Sequence, residues 1–296
     1  MRRNKLGRSL LTIMAFASIT GLLAGCSGKS GVDNNTLVIG MECNYQPFNW
    51  TAKGSSDFTL PINGTSEHAD GYDIAIAKYL SEDTGLPVVI KRIEWAGLIP
   101  GLQNNEINMV LAGMTDTAER RESIDFTDPY LESDLAFLIK TENMPQGYGT
   151  KENPATYEQL LDLFDGKSLI CQSSVVGDGF IEDYFTNNDA GKTIKHNDPL
   201  ATYPLAANDV KQGTSFAMPA ESPVCEAMES LGGLSTLYCD KSFLSEEDQV
   251  GLTVSIGIKK GNSELEEILN TSLAKLSNDQ RGVLMGEAAQ RSASNA

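Results

Sequence analysis

Histidine and tryptophan are scarce in this chain of 296 residues, which contains two of each. Both histidines, His68 and His196, stand in polar segments, and no CxxC pair or histidine-rich spacing is present. These absences argue against a metal centre and against a nucleophile activated by histidine. We therefore expect neither a metal nor a cofactor.

Basic residues are also few, with 23 Lys and Arg against 40 Asp and Glu and a formal charge of −17. Residues 1–26 contain four basic and no acidic side chains, so a chain without them would carry −21. A surface of this sign repels a phosphate backbone, which argues against nucleic acid as a partner. The hydrophobic content of 41% suits one large or two medium domains with real cores.

One long apolar run exists, at residues 10–23, and it follows a basic N-terminal stretch. It is too short for a comfortable membrane span, and this pattern is typical of a secretory signal. The run ends in Leu23-Ala24-Gly25-Cys26, which resembles the bacterial lipobox, where cleavage precedes a cysteine that then carries lipid. We expect a signal peptide at residues 1–26 with lipid on Cys26, the alternative being an ordinary signal peptide that contains a cysteine.

Residues 27–35, SGKSGVDNN, have the small polar composition of a flexible tether. Each lipid methylene that enters a bilayer adds about 0.8 kcal/mol of affinity, so two or more chains anchor a protein stably. The expected location is the cell membrane, with the protein held by lipid on the extracellular or periplasmic side.

Four further cysteines follow, at Cys43, Cys171, Cys225 and Cys239. An even number in an exported chain permits disulfides, but four cysteines allow three pairings and the sequence does not choose among them. Our preferred pair is Cys225 with Cys239.

Strand and helix patterns alternate along the chain. Apolar, β-branched runs at 36–41, 88–93 and 107–111 predict strands, and the spacing of apolar residues over 72–84 predicts a helix. Such alternation predicts α/β architecture with parallel strands, in which ligands bind beyond the carboxyl ends of the strands. That rule brings residues 42–48, Trp95 and 112–115 to one site. Further elements are predicted at 98–102 (helix), 166–171 (strand), 180–185 (helix), 215–218 (strand), 251–258 (strand) and 263–276 (helix).

Several motifs in order resemble those of the bacterial extracellular solute-binding proteins of the polar amino-acid family, the receptors of amino-acid ABC importers. The motifs are LVIGMECNYQPFNW, GYDIAIAKYL, WAGLIPGLQNNEINMVLAGMTDTAER, IDFTDPY, ESPV and GIKKGNSELEEILN. The resemblance implies an α/β fold of the two-lobed, type II periplasmic-binding-protein kind, with two crossing hinge segments. It implies a first lobe at 34–131 plus 251–296 and a second lobe at 132–250.

The resemblance also implies a ligand site in the stretch that follows the third strand. Arg120 would bind the α-carboxylate of an amino acid, with the Gly113 amide and the Thr115 hydroxyl helping to position it. A guanidinium matches a carboxylate with two parallel hydrogen bonds, and small residues such as Ala112 and Gly113 let backbone amides come close. The alternative is that Arg120 is a solvated helix residue like Arg121.

Glu221, in ESPV, would bind the α-ammonium from the second lobe, unless it is an exposed loop acid. Tyr45 and Trp95 would sandwich the aliphatic part of the ligand, unless Tyr45 fills the core under the turn, as Phe48 is expected to do. Glu42 would face the distal group of the ligand, which favours a basic or otherwise polar amino acid. Relatives that bind glutamine can carry an acid there too, and Glu42 could instead point to solvent.

The chain departs from the family where a Gly-Thr or Gly-Ser pair commonly contributes hydroxyls, because it has Ser173-Ser174-Val175-Val176-Gly177. Valine side chains donate no hydrogen bonds. Either Ser173 or Ser174 supplies the contact from a shifted turn, or the contact is made by backbone alone.

The sequence therefore predicts a monomeric receptor without enzymatic activity, which captures an L-amino acid and delivers it to an importer permease. Two alternatives remain. One is a dehydratase of small cyclic acids on the same fold, with Glu42 or Glu221 as general acid. The other is a sensor that works with a separate signalling protein.

Overall fold

The computed structural model describes residues 33–250 and 252–295, apart from the side chains at 247, 250 and 293–295. The predicted signal peptide, the lipobox cysteine Cys26 and most of the predicted tether lie outside the described residues. Within the described part, no helix combines the length and the apolar character that crossing a bilayer requires.

The first of three sheets is built on a fully buried strand, Leu37–Met41. This strand runs parallel to both of its neighbours, and its apolar side chains face helices on either side, as a central parallel strand requires. The last two strands run antiparallel to the strand beside them. In order across the sheet the strands are Val88–Arg92, Leu37–Met41, Met109–Val110, Thr253–Lys259 and Ile124–Glu132.

The second sheet also has five strands and is mixed. Its central strand Ala217–Glu221 runs antiparallel to Leu135–Lys140, which is buried along nearly its whole length. Phe137 from this sheet packs against Phe164 and Phe185, at ring-centroid distances of 5.1 and 5.4 Å. In order the strands are Lys195–His196, Ser168–Leu169, Ala217–Glu221, Leu135–Lys140 and Leu234–Tyr238.

A small antiparallel sheet lies between the first strand and the first helix, and the sequence patterns did not predict it. Its four strands have two to four residues each, too few to show a period of two. In order they are Asn44–Tyr45, Asn49–Ala52, His68–Asp70 and Leu60–Pro61.

The helix Tyr72–Thr84 buries Ile74, Ala77 and Leu80, the positions that predicted it, and ends at Gly85 in the left-handed conformation. The helix predicted at 263–276 is Ser263–Leu273, with Leu265, Leu269 and Leu273 buried. The other α-helices are Leu98–Gln103, Ala118–Ser123, Tyr157–Phe164, Val176–Phe180, Tyr203–Gln212, Ser222–Met228, Glu246–Val250 and Asn278–Asn295, and Ile181–Thr186 is a π-helix.

The chain passes between the two large sheets twice. The strand Ile124–Glu132 of the first sheet continues almost directly into Leu135–Lys140 of the second, and the chain returns to the first sheet at Thr253–Lys259. Both sheets belong to one compact unit, residues 31–296. The lobe boundaries predicted at 131/132 and 250/251 fall near these two passages and stay a prediction.

The expected disulfide between Cys225 and Cys239 is absent, because all four cysteines that the structure describes are buried free thiols. The Cys239 thiol donates instead to the Leu135 carbonyl at 3.2 Å. Burial raises the pKa of Cys239 to about 12 and that of Cys225 well above its usual value, so both thiols stay protonated.

Gly71, which precedes the first helix, supplies a testable feature of this packing. Its φ is +135°, and a Cβ there would lie 2.1 Å from the carbonyl oxygen of Phe48. The backbone cannot shift easily, because the Asp73 amide donates a hydrogen bond to this same Phe48 carbonyl. We expect Gly71→Ala to lower the free energy of unfolding by at least about 2 kcal/mol more than Gly64→Ala does.

Gly64 is the matched control, since its φ is also positive, +78°, while a Cβ there meets nothing within 4 Å. Urea unfolding of both variants measures the difference. Equal losses would mean that the approach to Phe48 adds no constraint.

Candidate ligand-binding site

Three strand ends of the first sheet meet at one cavity. Glu42 directly follows Leu37–Met41, Trp95 lies just beyond Val88–Arg92 in a short 3-10 helix, and Thr115 follows Met109–Val110. All three line the same cavity. This arrangement follows from parallel strands, whose carboxyl ends share one edge of a sheet.

The second sheet supplies the opposite wall, so the cavity lies between the two sheets. The cavity volume is about 30 Å³, so the two walls lie close together and leave room for only a few atoms between them. It is lined by Glu42, Tyr45, Trp95, Gly113, Thr115, Arg120, Leu135, Gln172, Val175, Val176, Gly177, Phe180, Tyr203, Ala220, Glu221 and Leu252.

Arg120 enters the cavity from the helix Ala118–Ser123, whose first turn is capped by the Thr117 hydroxyl. One guanidinium nitrogen donates to the Thr115 carbonyl at 2.8 Å and another to the Ser174 carbonyl at 3.2 Å. The guanidinium also lies over the Trp95 ring, 5.3 Å from its centroid. Burial lowers the pKa of Arg120, but guanidinium stays charged, and these two bonds use two of its five donors.

Glu221 reaches the cavity from the second sheet, where it ends the strand Ala217–Glu221. Its carboxylate accepts a hydrogen bond of 2.6 Å from the Tyr45 hydroxyl, which belongs to the first-sheet side. Burial raises the pKa of Glu221, while this hydrogen bond and the charge of Arg120 lower it. The site therefore has an acidic side chain and a guanidinium on opposite walls.

Glu42 is buried and faces Gln172 across the cleft. The Gln172 amide nitrogen lies 3.3 and 3.5 Å from the two carboxylate oxygens of Glu42. The Gln172 amide oxygen accepts from the Tyr203 backbone N–H at 3.0 Å, which fixes the amide with its donors toward Glu42. Burial raises the pKa of Glu42 to about 7, despite the opposing hydrogen bond from Gln172.

The Tyr45 ring lies in an aromatic stack, and the sandwich of a ligand between Tyr45 and Trp95 stays a prediction. The Tyr45 ring stacks on Phe48, at 5.1 Å, and on Tyr203, at 4.9 Å, each with an interplanar angle of 16°. Tyr45 therefore contributes its hydroxyl to Glu221, and its ring belongs to an aromatic stack. Phe48 is fully buried, as expected for a core residue.

The Gly113 amide has a hydrogen-bond partner inside the protein, and its expected role in positioning a ligand carboxylate stays a prediction. This N–H donates to the Tyr130 hydroxyl at 2.9 Å, inside the first-sheet side of the molecule. Gly113 also matters through its small size and its φ of +60°, because a Cβ there would lie 2.7 Å from the Tyr45 ring. The Thr115 side chain remains at the cavity wall.

Two predicted residues, Ala112 and Ser174, are not among those that line the cavity. Ala112 is buried, and Ser174 is exposed, with a φ of +63°. The Ser174 carbonyl nevertheless takes part in hydrogen bonds across the cleft. It accepts one from the Trp95 indole at 3.0 Å and one from Arg120. Whether this turn contacts a ligand through a serine hydroxyl or through backbone stays open, and Val175 and Val176 line the wall beside it.

Gln172 and Tyr203 were missed by the sequence reasoning. Gln172 follows the strand Ser168–Leu169 of the second sheet, so the strand-end rule applied to both sheets would have found it. Tyr203 opens the helix Tyr203–Gln212 after the capping residue Thr202, and no local signal ties that position to the cavity.

No cluster of three or more metal-ligating side chains occurs in the described ranges 33–250 and 252–295. The charges that line the cavity are those of Glu42, Glu221 and Arg120.

The family model of the bacterial extracellular solute-binding proteins, family 3, matches residues 37–282. The chain belongs to this family. Relatives of this solute-binding protein include amino-acid-binding proteins of ABC importers. The L-cystine-binding protein TcyJ of Escherichia coli is 24% identical over 285 residues, and the match covers 94% of each chain.

Solved structures of such proteins share its fold. The substrate-binding protein AbpA of Streptococcus pneumoniae, bound to L-arginine, gives a TM-score of 0.67 at 17% identity and covers 87% of this chain and 96% of its own. The ancestral amino-acid-binding protein AncCDT-1, a precursor of cyclohexadienyl dehydratase, gives 0.64 at 23% identity, covering 86% and 94%. The predicted two-lobed α/β fold is confirmed.

The raised pKa of Glu42 predicts how stability of this solute-binding protein depends on pH. A carboxyl whose pKa rises from 4.5 to about 7 on folding binds its proton more tightly when folded. Its contribution is fully present below the unfolded pKa and is lost as pH rises through about 7, a loss on the order of 3 kcal/mol. We expect Glu42→Gln to remove that share of the decline in unfolding free energy between about pH 5 and about pH 8.

Asp73, whose pKa burial also raises to about 7, leaves a second decline in the variant. Urea unfolding across this range measures both, with the exposed Glu152→Gln as control. A variant profile parallel to wild type would contradict the assignment of the raised pKa to Glu42.

Proposed function

We propose that this chain is the substrate receptor of an ABC importer and that it binds a polar, preferably basic, L-amino acid between its two lobes. The observation that carries the proposal is that Arg120 and Glu221 face one cavity from opposite walls. An α-amino acid carries a carboxylate and an ammonium on the same carbon, so these two side chains match its two charges.

The two-wall arrangement couples binding to closure of the cleft. Each charge-assisted hydrogen bond contributes about 1.5–3 kcal/mol. A micromolar complex needs about 8 kcal/mol, which neither wall easily supplies alone. A ligand that bridges Arg120 and Glu221 therefore favours the closed arrangement, which is the hinge-closure mode of two-lobed binding proteins.

The preference for a basic ligand rests on the charge balance of the cavity. Two carboxylates, Glu42 and Glu221, stand against one guanidinium, that of Arg120. With the amino-acid ends bound to Glu221 and Arg120, Glu42 remains for the distal group. A lysine, arginine or ornithine side chain supplies the positive charge that balances it, and the Trp95 ring attracts a cation as well.

We further propose that Cys26 carries a lipid and that the tether at 27–35 holds the receptor on the outer face of a membrane, next to its permease. The support is the sequence Leu23-Ala24-Gly25-Cys26 after an apolar run. Lipid chains provide anchoring without a spanning helix.

A second candidate function is dehydration of a small cyclic acid. The favouring observation is the pKa of Glu42, which burial raises to about 7, the range that suits a general acid at neutral pH. AncCDT-1 adds a relative on the path to such an enzyme. Turnover of a prephenate-like substrate, lost in Glu42→Gln, would establish it. We favour the receptor because Arg120 and Glu221 match both ends of an amino acid.

The first test is a thermal-shift screen of residues 27–296 against the twenty L-amino acids, cystine and ornithine. A ligand at one hundred times its dissociation constant adds about 2.7 kcal/mol, which is several degrees in a domain of this size. We expect the largest shift with lysine, arginine or ornithine.

Arg120→Ala should raise the dissociation constant at least about 100-fold, because it removes the carboxylate partner.

Arg121→Ala is the matched control, since Arg121 is the exposed neighbour that pairs with Asp116. It should leave affinity unchanged. Equal affinities of Arg120→Ala and wild type in calorimetry, or no shift with any amino acid, would rule out the receptor function as proposed.

Glu42→Gln tests the ligand class. Losing a charged partner should raise the dissociation constant of a basic amino acid about 10- to 100-fold and change that of a neutral one little. Affinity of wild type for a basic ligand should also fall as pH drops below about 7, because Glu42 is then protonated. Calorimetry across pH measures both effects. A shift with cystine or glutamine alone, insensitive to Glu42, would keep the receptor and remove this role of Glu42.

A further inference from the structure

Asp73 is a fully buried acid that lies outside the cavity wall, in the first turn of the helix Tyr72–Thr84. One of its carboxylate oxygens accepts from the Tyr130 hydroxyl and the other from the Asn49 side-chain amide, each at 2.7 Å. A buried carboxylate is costly unless donors surround it, so these two bonds are strong constraints on their partners.

The first partner, Tyr130, connects Asp73 to the loop that follows the strand Met109–Val110. The Tyr130 hydroxyl, which donates to Asp73, accepts the Gly113 N–H at 2.9 Å. Gly113 packs under the Tyr45 ring with its φ of +60°, two residues before Thr115. The Thr115 carbonyl in turn holds the Arg120 guanidinium at 2.8 Å.

The second partner, Asn49, connects Asp73 to the loop that follows the strand Leu37–Met41. Asn49 donates to Asp73 through its amide nitrogen and accepts the Cys43 N–H on its amide oxygen, at 2.8 Å. Cys43 has a φ of +56°, which a non-glycine residue adopts only when its surroundings hold it. Glu42 precedes it and Tyr45 lies two residues beyond.

We propose that Asp73 is a positioning residue for ligand binding, a single carboxylate that sets both first-lobe loops of the cavity. One loop carries Glu42 and Tyr45, and the other carries Thr115 and leads to Arg120. The effect on ligand affinity rests on the proposed receptor function, whereas the hold on the two loops does not.

The hydrogen-bond directions in this network require an acceptor at each of the two carboxyl oxygens of Asp73. The Tyr130 hydroxyl accepts a hydrogen bond from the Gly113 N–H, so its own O–H donates to Asp73. Asn49 has its oxygen turned to Cys43 and so must present its NH₂ group to Asp73. An amide at position 73 would place a donor against one of these two donors, although its size is the same.

The sharpest test compares two tyrosines. Tyr130→Phe removes the hydroxyl between Asp73 and Gly113. Tyr72→Phe removes an equally buried hydroxyl whose hydrogen bond goes to the Tyr130 carbonyl, at 2.8 Å, and not to Asp73 or Gly113. Both should lower stability similarly, but Tyr130→Phe alone should raise the dissociation constant of the amino acid found in the screen, by about tenfold.

A readout without ligand completes the test. Amide exchange followed by NMR should speed up at Gly113 in Tyr130→Phe and stay unchanged there in Tyr72→Phe. Asp73→Asn, measured in the same way, should speed up exchange at Gly113 or Cys43, because one of the two connections must lose its acceptor.

The outcomes separate the two proposals. If wild type binds no amino acid, the receptor function fails, and amide exchange still decides whether Asp73 holds the loops. If wild type binds but Tyr130→Phe and Tyr72→Phe have equal dissociation constants, the positioning role is overturned. Unchanged exchange at Gly113 in Tyr130→Phe and at both amides in Asp73→Asn overturns it as well.

Discussion

Carboxylate and guanidinium groups from two sheets share one small cavity, and each loses water when the sheets approach. Removing a charge from water costs several kcal/mol unless hydrogen bonds replace the lost hydration. The cross-cleft bonds meet this requirement: Tyr45 donates to Glu221, Gln172 faces Glu42, and Arg120 donates to the Ser174 carbonyl. A ligand must offer these groups hydrogen bonds at least as good, which limits the ligands the cavity accepts.

The sequence predicts the first-sheet half of this site better than the second. Leu37–Met41 and Val88–Arg92 begin with runs of apolar residues that predict strands, so their carboxyl ends, and with them Glu42 and Trp95, could be placed by a general rule. The second sheet is built from strands as short as Ser168–Leu169, which show little period. Gln172 directly follows the strand predicted at 166–171, so the same rule would have reached it if it had been applied to the second sheet. Glu221 came from family resemblance.

Local sequence does not decide between partners where a side chain or an amide has more than one within reach. The aromatic ring of Tyr45 suits a ligand, but it suits Phe48 and Tyr203 equally, and only three-dimensional packing decides. The Gly113 amide could face the cavity or the interior, and in the structure it donates a hydrogen bond to the buried Tyr130 hydroxyl. The sequence likewise gives the number of cysteines but not the distances between their sulfur atoms. The Cys239 thiol donates to a backbone carbonyl and forms no disulfide.

The buried thiols have a practical consequence. Each of the four cysteines in the described part of the chain is at most 7% exposed, and burial raises the thiol pKa of all four, so little thiolate is available to alkylating reagents. With Cys26 replaced, a cysteine engineered onto the surface of each lobe would react far ahead of the native ones. A pair of dyes could then be attached to the otherwise unaltered folded chain, and energy transfer between them would report the opening and closing of the cleft in single molecules.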